Sequence, residues 1–212
     1  MKRFLSCFGL FLALLVAIPA GADTTVKLVG VGGASQGGVY VAPYFLKVNG
    51  QTISVMCDDY LHDVYIGESW KANIIPLSNI SSGRFWNPAD PATSLHDYEM
   101  AFWLFGQWQS HPSQAGNINF AVWSIFDPAV IGHSGWTTGP NAQLNSASAW
   151  LYAAQHFNGP YDYSGFYLIV PTDLSRSGPQ EYIERTPEPA ALALVGTGFV
   201  ALGFMRRRFI GG

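Results

Sequence analysis

One thiol stands in the interior of this sequence, at the end of an apolar run and directly before a cluster of acids: Val55-Met56-Cys57-Asp58-Asp59-Tyr60-Leu61-His62-Asp63. The thiolate is the reactive form of cysteine, and nearby carboxylates oppose its formation. Asp58, Asp59 and Asp63 therefore argue against a strong nucleophile unless His62 serves as its base. The same string carries metal-ligand chemistry, but Asp59 and Asp63 share a face only if the segment is helical. It also lacks the glycine and terminal glutamate of a calcium loop. A solvated acidic turn after a strand is the simpler reading, so no metal is assigned. His96, His111, His133 and His156 make no His-x-x-x-His pair. Asp97, Glu99 and Asp127 are residue types that glycoside hydrolysis uses in pairs, with nothing in the sequence to set their separation. No cofactor is implied.

The elements that must position these residues lie between two apolar ends. Hydrophobic content of 49% against 12% charged is high for a soluble domain, and much of the excess sits in those ends. Met1–Ala22 has Lys2 and Arg3, an apolar stretch over 4–18, and a small-x-small site at Ala20-Gly21-Ala22, which predicts a signal peptide cut after Ala22. Cys7 leaves with it and, followed by bulky Phe8, is no lipidation site. Ala190–Met205 is nearly charge-free and precedes Arg206-Arg207-Arg208. It falls short of the usual 20 or so residues of a span, yet the positive-inside rule would keep that Arg cluster cytoplasmic and the preceding domain outside. Between the ends stand six Lys/Arg against thirteen Asp/Glu, a net charge of −7. Such a domain is not built for nucleic acid, whose phosphates need Lys and Arg.

Within 23–185, Val26–Val31 predicts a first strand. Val39–Val48 and Gln51–Met56 flank Asn49-Gly50, a strong hairpin signal. Val64–Ile75 predicts further strand with a bulge or turn at Gly67. Ser78–Thr93 reads as a long surface loop. Three helices follow: one capped by Ser94 and running through Ser110, one capped by Asn117 and stopped by Pro128, and one capped by Asn141 over Ala142–Phe157. Phe166–Val170 and Gln180–Arg185 predict closing strands. Strands and helices in separate blocks predict α+β, a sheet or barrel-like portion with an inserted block of about three helices.

The C-terminal segment Thr186-Pro187-Glu188-Pro189-Ala190, then an apolar helix, then Arg206–Arg208, closely resembles the PEP-CTERM sorting signal of Gram-negative bacteria. The resemblance covers Thr186 to Arg208, with Phe209–Gly212 trailing. It implies processing near Pro187-Glu188-Pro189 by an exosortase, a membrane transpeptidase, in a bacterium that makes exopolysaccharide. It also implies anchoring through the helix before processing, and a cell-surface or matrix location after it. A second, shorter resemblance is to the thioester domains of bacterial surface adhesins. There a Cys bonds to the side chain of a Gln that opens a helix reading Gln-x-Ala-Ile-Trp. Asn119-Phe120-Ala121-Val122-Trp123 stands at the matching place after Met56-Cys57. Asn119 is one methylene shorter than Gln, which implies a thioester-like pair Cys57/Asn119 that has lost its bond.

The sequence thus predicts a non-enzymatic surface or matrix protein, with partners among surface proteins or exopolysaccharide. A carbohydrate-binding module is the alternative, with Trp86 and Trp136 in loop-like stretches as sugar-stacking platforms. A third reading, a Cys57 hydrolase or transferase, requires an imidazole beside the sulfur.

Overall fold

Asn49 and Gly50, both at positive φ, join two strands in the tight turn that their residue types favour. In the computed structural model, which describes residues 23–185, that hairpin is one wall of a closed antiparallel barrel. The chain runs β1 (Thr24–Val31), the two-residue β2 (Ser35–Gln36) and β3 (Val39–Tyr40), β4 (Tyr44–Val48), β5 (Gln51–Cys57) and β6 (Ser69–Pro76). Then come α1 (Pro91–Ser110), α2 (Ala115–Phe126) and α3 (Ala147–Gln155), before β7 (Phe166–Pro171) and β8 (Tyr182–Arg185). The barrel order is β1-β4-β5-β8-β7-β6, with β2 and β3 as a separate ribbon. The architecture is α+β, a six-stranded barrel with three helices inserted between β6 and β7.

Strand polarity divides the barrel into two ends. β1 runs from Val26, beside Val48 of the hairpin, to Val31, beside Tyr44. β5 returns toward the Tyr44 end and finishes at Cys57, opposite Tyr182. β8 starts there and descends to Arg185, opposite Phe166.

Alternation decides which side chains fill the barrel. Val26, Leu28, Leu46, Val55, Cys57, Ala72, Ile169 and Tyr182 form its interior. Met56, Leu168, Val170 and Ile183 point the other way and pack with α1, α2 and α3. The β5-β8-β7 wall is therefore covered on both faces, which is why Val55-Met56-Cys57 and Leu168-Ile169-Val170 are continuous buried runs. α1 is enclosed too, since the consecutive residues Phe102, Trp103, Leu104 and Phe105 are all buried.

Several boundaries differ from the sequence reading. The predicted strand over 39–48 breaks at Val41-Ala42-Pro43, where proline has no ladder N–H to give and the Ala42 N–H turns to Asn119 instead. The strand predicted from Val64 starts at Ser69, because Gly67 takes a left-handed turn (φ +97°). The cap of α1 is Asp90, which accepts from Thr93 N–H at 3.2 Å with Pro91 in the first turn; Ser94 is buried one turn in. α2 starts at Ala115, so Asn117 lies inside it and ties Gln114, Asn145, Gln36 and Thr137 together. α3 is shorter than predicted. Asn141 begins only a 3-10 turn, Leu144 at φ +48° breaks the chain direction, and Ser146 caps the helix proper. The loop predicted over 78–93 holds a 3-10 turn whose Ile80 is buried, and Phe85 stacks on Phe126 at 4.6 Å.

Gly135 illustrates how tightly the loop after α2 is seated. A Cβ there would strike the ring of buried Phe120, whereas one at Gly132 would meet open space. Gly135→Ala is expected to lower stability by about 1–3 kcal/mol through overpacking. Gly132→Ala should be neutral or slightly stabilising. Urea midpoints of the two variants check this.

Candidate functional site

β5 ends inside the protein, so the acids that follow Cys57 start in a dry place. Asp58 and Asp59 are fully buried, which corrects the solvated turn expected from sequence; only Asp63 of that trio is exposed. Burial is compensated from distant segments. Asp59 Oδ2 pairs with Arg84 Nε at 3.1 Å. Its Oδ1 accepts from Leu61 N–H at 3.1 Å and His62 Nδ1 at 2.8 Å. Arg84 spends its other donors on His62 Nε2 (3.1 Å) and the Pro179 carbonyl (2.6 Å). His62 is thus fixed with its proton on Nδ1 toward Asp59, and neither ring nitrogen faces the sulfur. Glu181, just before β8, accepts from Tyr98 O–H at 2.9 Å and Arg84 N–H at 2.8 Å.

Asp58 lies against Glu181, and no cationic side chain pairs with its carboxyl as Arg84 pairs with Asp59. Two carboxyls in a dry site hold a proton between them. Burial pushes Asp58 well above the ordinary carboxylate range, with Glu181 and Asp59 adding to it. Burial likewise raises Glu181 to about 7, opposed by the Arg84 N–H and the Tyr98 hydroxyl.

The structure brings the Cys57/Asn119 pair together, through hydrogen bonds and not through the sulfur. Asn119 Nδ2 donates to the Cys57 carbonyl at 2.8 Å, and Asn119 Oδ1 accepts from Ala42 N–H at 2.8 Å. The thiol donates to the Asp59 carbonyl at 3.1 Å. Burial first, then Asp59 and Asp58, push the Cys57 thiol well up. Both side chains are fully buried and fully engaged, so neither is poised as a nucleophile or electrophile.

Beside this sealed cluster lies an open cleft of about 670 Å³ at the Val31/Tyr44 end of the barrel. Tyr40, Tyr44, Tyr60, Tyr65 and Trp123 line it, with Asp63 and Gln180 as polar groups. Sequence reasoning did not single out these tyrosines: they fall between residues 40 and 65, but nothing local to them says that strand pairing turns them onto one concavity beside Trp123 of α2. Trp86 and Trp136, the platforms expected from sequence, are half-buried and pack against the two halves of the core. Glu181, Arg84 and Tyr98 were also missed; the one local signal was two aspartates directly after an apolar strand. The sorting residues Pro187, Glu188, Pro189, Arg206, Arg207 and Arg208, the signal peptide and the helix over 190–205 lie outside the described residues. Among the described residues no helix is long and apolar enough to cross a membrane, and no group of three His, Cys, Asp or Glu is arranged to hold a metal ion. No protein-family model, curated protein or solved structure matches the chain.

Asn119→Ala would leave a buried N–H and a buried C=O without partners. The expected loss is about 2–4 kcal/mol, measured by urea unfolding. The carboxyl pair also sets a pH dependence. Because the folded pKa of Glu181 lies above its ordinary 4.5, the folded chain holds a proton that the unfolded chain releases. That stabilisation is complete below about pH 4.5 and is lost as pH rises through about 7, at up to about 1.4 kcal/mol per pH unit for each proton held. Glu181→Gln should remove its own share and leave the shallower fall that Asp58 contributes, as read from unfolding midpoints between pH 4.5 and 7.5.

Proposed function

We propose that this chain is an exported cell-surface or matrix protein with a non-enzymatic, adhesive or structural role. In this reading residues 1–22 direct export and 23–185 form the extracytoplasmic binding domain. Residues 186–212 carry the sorting segment, with its membrane helix over 190–205, and an exosortase-type transpeptidase handles it.

The observation that carries the proposal is the polarity of β8. This strand leaves the cleft end of the barrel and finishes at Arg185, one residue before Thr186. A tether joined there holds the far end of the barrel toward the membrane and turns the cleft outward. The sealed state of Cys57 and Asn119 supports a passive domain over a Cys57 hydrolase or a covalent adhesin. Engagement of exopolysaccharide or of surface proteins then runs through non-covalent contacts at the cleft.

The test is the intact mass of the mature protein from its native host, with and without methylamine. A chain from Asp23 to near Pro187, at full mass and unchanged by methylamine, is expected. Retention of Arg206–Arg208 would mean a plain membrane anchor and defeat the sorting proposal. A mass short by one ammonia, restored by methylamine uptake, would mean that Cys57 is bonded to a side-chain amide and defeat the passive one.

A further inference from the structure

The geometry points to the barrel-end cleft as a binding site for a neutral polysaccharide, gripped between exposed tyrosine rings; this rests on the cleft being the outward, binding face of the domain. Its volume of about 670 Å³ falls in the range of ligand sites, and barrel mouths are a common place for them. Single exposed apolar residues are ordinary, whereas several around one concavity are not. Here Tyr40 is 55% exposed, Tyr65 74% and Ile66 60%, and all three line the same cleft.

The residue types favour sugar over lipid. A tyrosine offers an apolar ring face and a hydroxyl at its edge, which matches the C–H face and the hydroxyl rim of a pyranose. An acyl chain would leave the tyrosine hydroxyls and the Asp63 carboxylate without partners on its surface. Charge narrows the class further. No Lys or Arg lines the cleft and its one acidic side chain is Asp63, so a uronate or sulfate polymer meets no counter-charge and an acid at the rim.

The walls are held before any ligand arrives, which lowers the ordering cost of binding. Tyr44 O–H donates to the Tyr40 carbonyl at 2.7 Å. Tyr60 packs on Trp123 and His133, with ring centres 5.1 and 5.7 Å apart. The turn carrying Tyr65 is closed by Tyr65 N–H to Glu68 Oε2 at 3.0 Å and by Gly67 N–H to the Leu28 carbonyl at 2.7 Å.

The experiment uses the full chain in a detergent without a sugar headgroup, since alkyl glycosides would compete. Affinity electrophoresis through gels of neutral glucans, xylan and galactomannan is compared with alginate and polygalacturonate. Retardation by at least one neutral polymer is expected, with none by the anionic pair. Tyr40→Ala and Tyr65→Ala should each weaken that retardation about tenfold or more. Both side chains are solvent-facing, so unfolding midpoints should stay unchanged. Tyr152→Ala, an exposed tyrosine away from the cleft, should leave binding intact. Retardation by the anionic polymers alone, full retention of binding in both cleft variants, or no retardation by any neutral polymer would each overturn the assignment. Correct C-terminal processing with no glycan binding would sink this inference and leave the sorting proposal standing; glycan binding without processing would do the reverse.

Discussion

Three carboxylates and one guanidinium share a dry pocket at the end of β5, and the rest of the domain is arranged to make that tolerable. Asp58 and Asp59 cannot be solvated where they lie, so each must find compensation inside the protein. Arg84 supplies the only strong cation in the cluster and links Asp59 to the carbonyls of Asp173, Leu174 and Pro179. Glu181 joins α1 through Tyr98 and the loop before α1 through the Arg84 N–H. The end of one strand, the start of another, a helix and two loops are thereby set in register by one network. A hydrophobic cluster of the same volume would pack these segments with less directional preference, because its contacts do not depend on angle.

Asn119 does the same work on the other side of Cys57. Its carboxamide replaces two ladder bonds that the sheet cannot make, one for the Cys57 carbonyl at a strand end and one for the Ala42 N–H before Pro43. A glutamine would carry its amide a methylene further and could not hold both backbone partners in place. The shorter side chain stops at the backbone, and the thiol turns to the Asp59 carbonyl. Cys57 and Asn119 thus meet through a backbone carbonyl and a carboxamide, and the contact is that of a structural latch.

The features legible in the sequence are those with local causes. Asn49-Gly50 marks its hairpin because few other residues accept two positive φ values in succession. The block order of strands, helices and strands survives because apolar periodicity reports burial one element at a time. Helix starts were less legible: Asp90, Gln114 and Ser146 lie near other polar residues of similar capping power, and tertiary contacts choose among them. The acid cluster was misread for a different reason. Asp59 meets Glu181 across 122 positions of chain, and no window of sequence holds both. The tyrosine cleft is illegible for another reason: the stretch from Tyr40 to Tyr65 gives no sign of which rings barrel closure turns onto one face, and Trp123 joins them from α2.

The insertion of all three helices between β6 and β7 has a consequence for synthesis. β5 bonds to β8, with Met56 opposite Ile183, so one edge of the sheet stays unpaired until the last strand of the domain arrives. A chain emerging N-terminus first from the ribosome therefore carries a β1-β4-β5 sheet with an open flank for most of its synthesis. Closure is long-range and late, which favours slow, all-at-once folding over stepwise folding from the front.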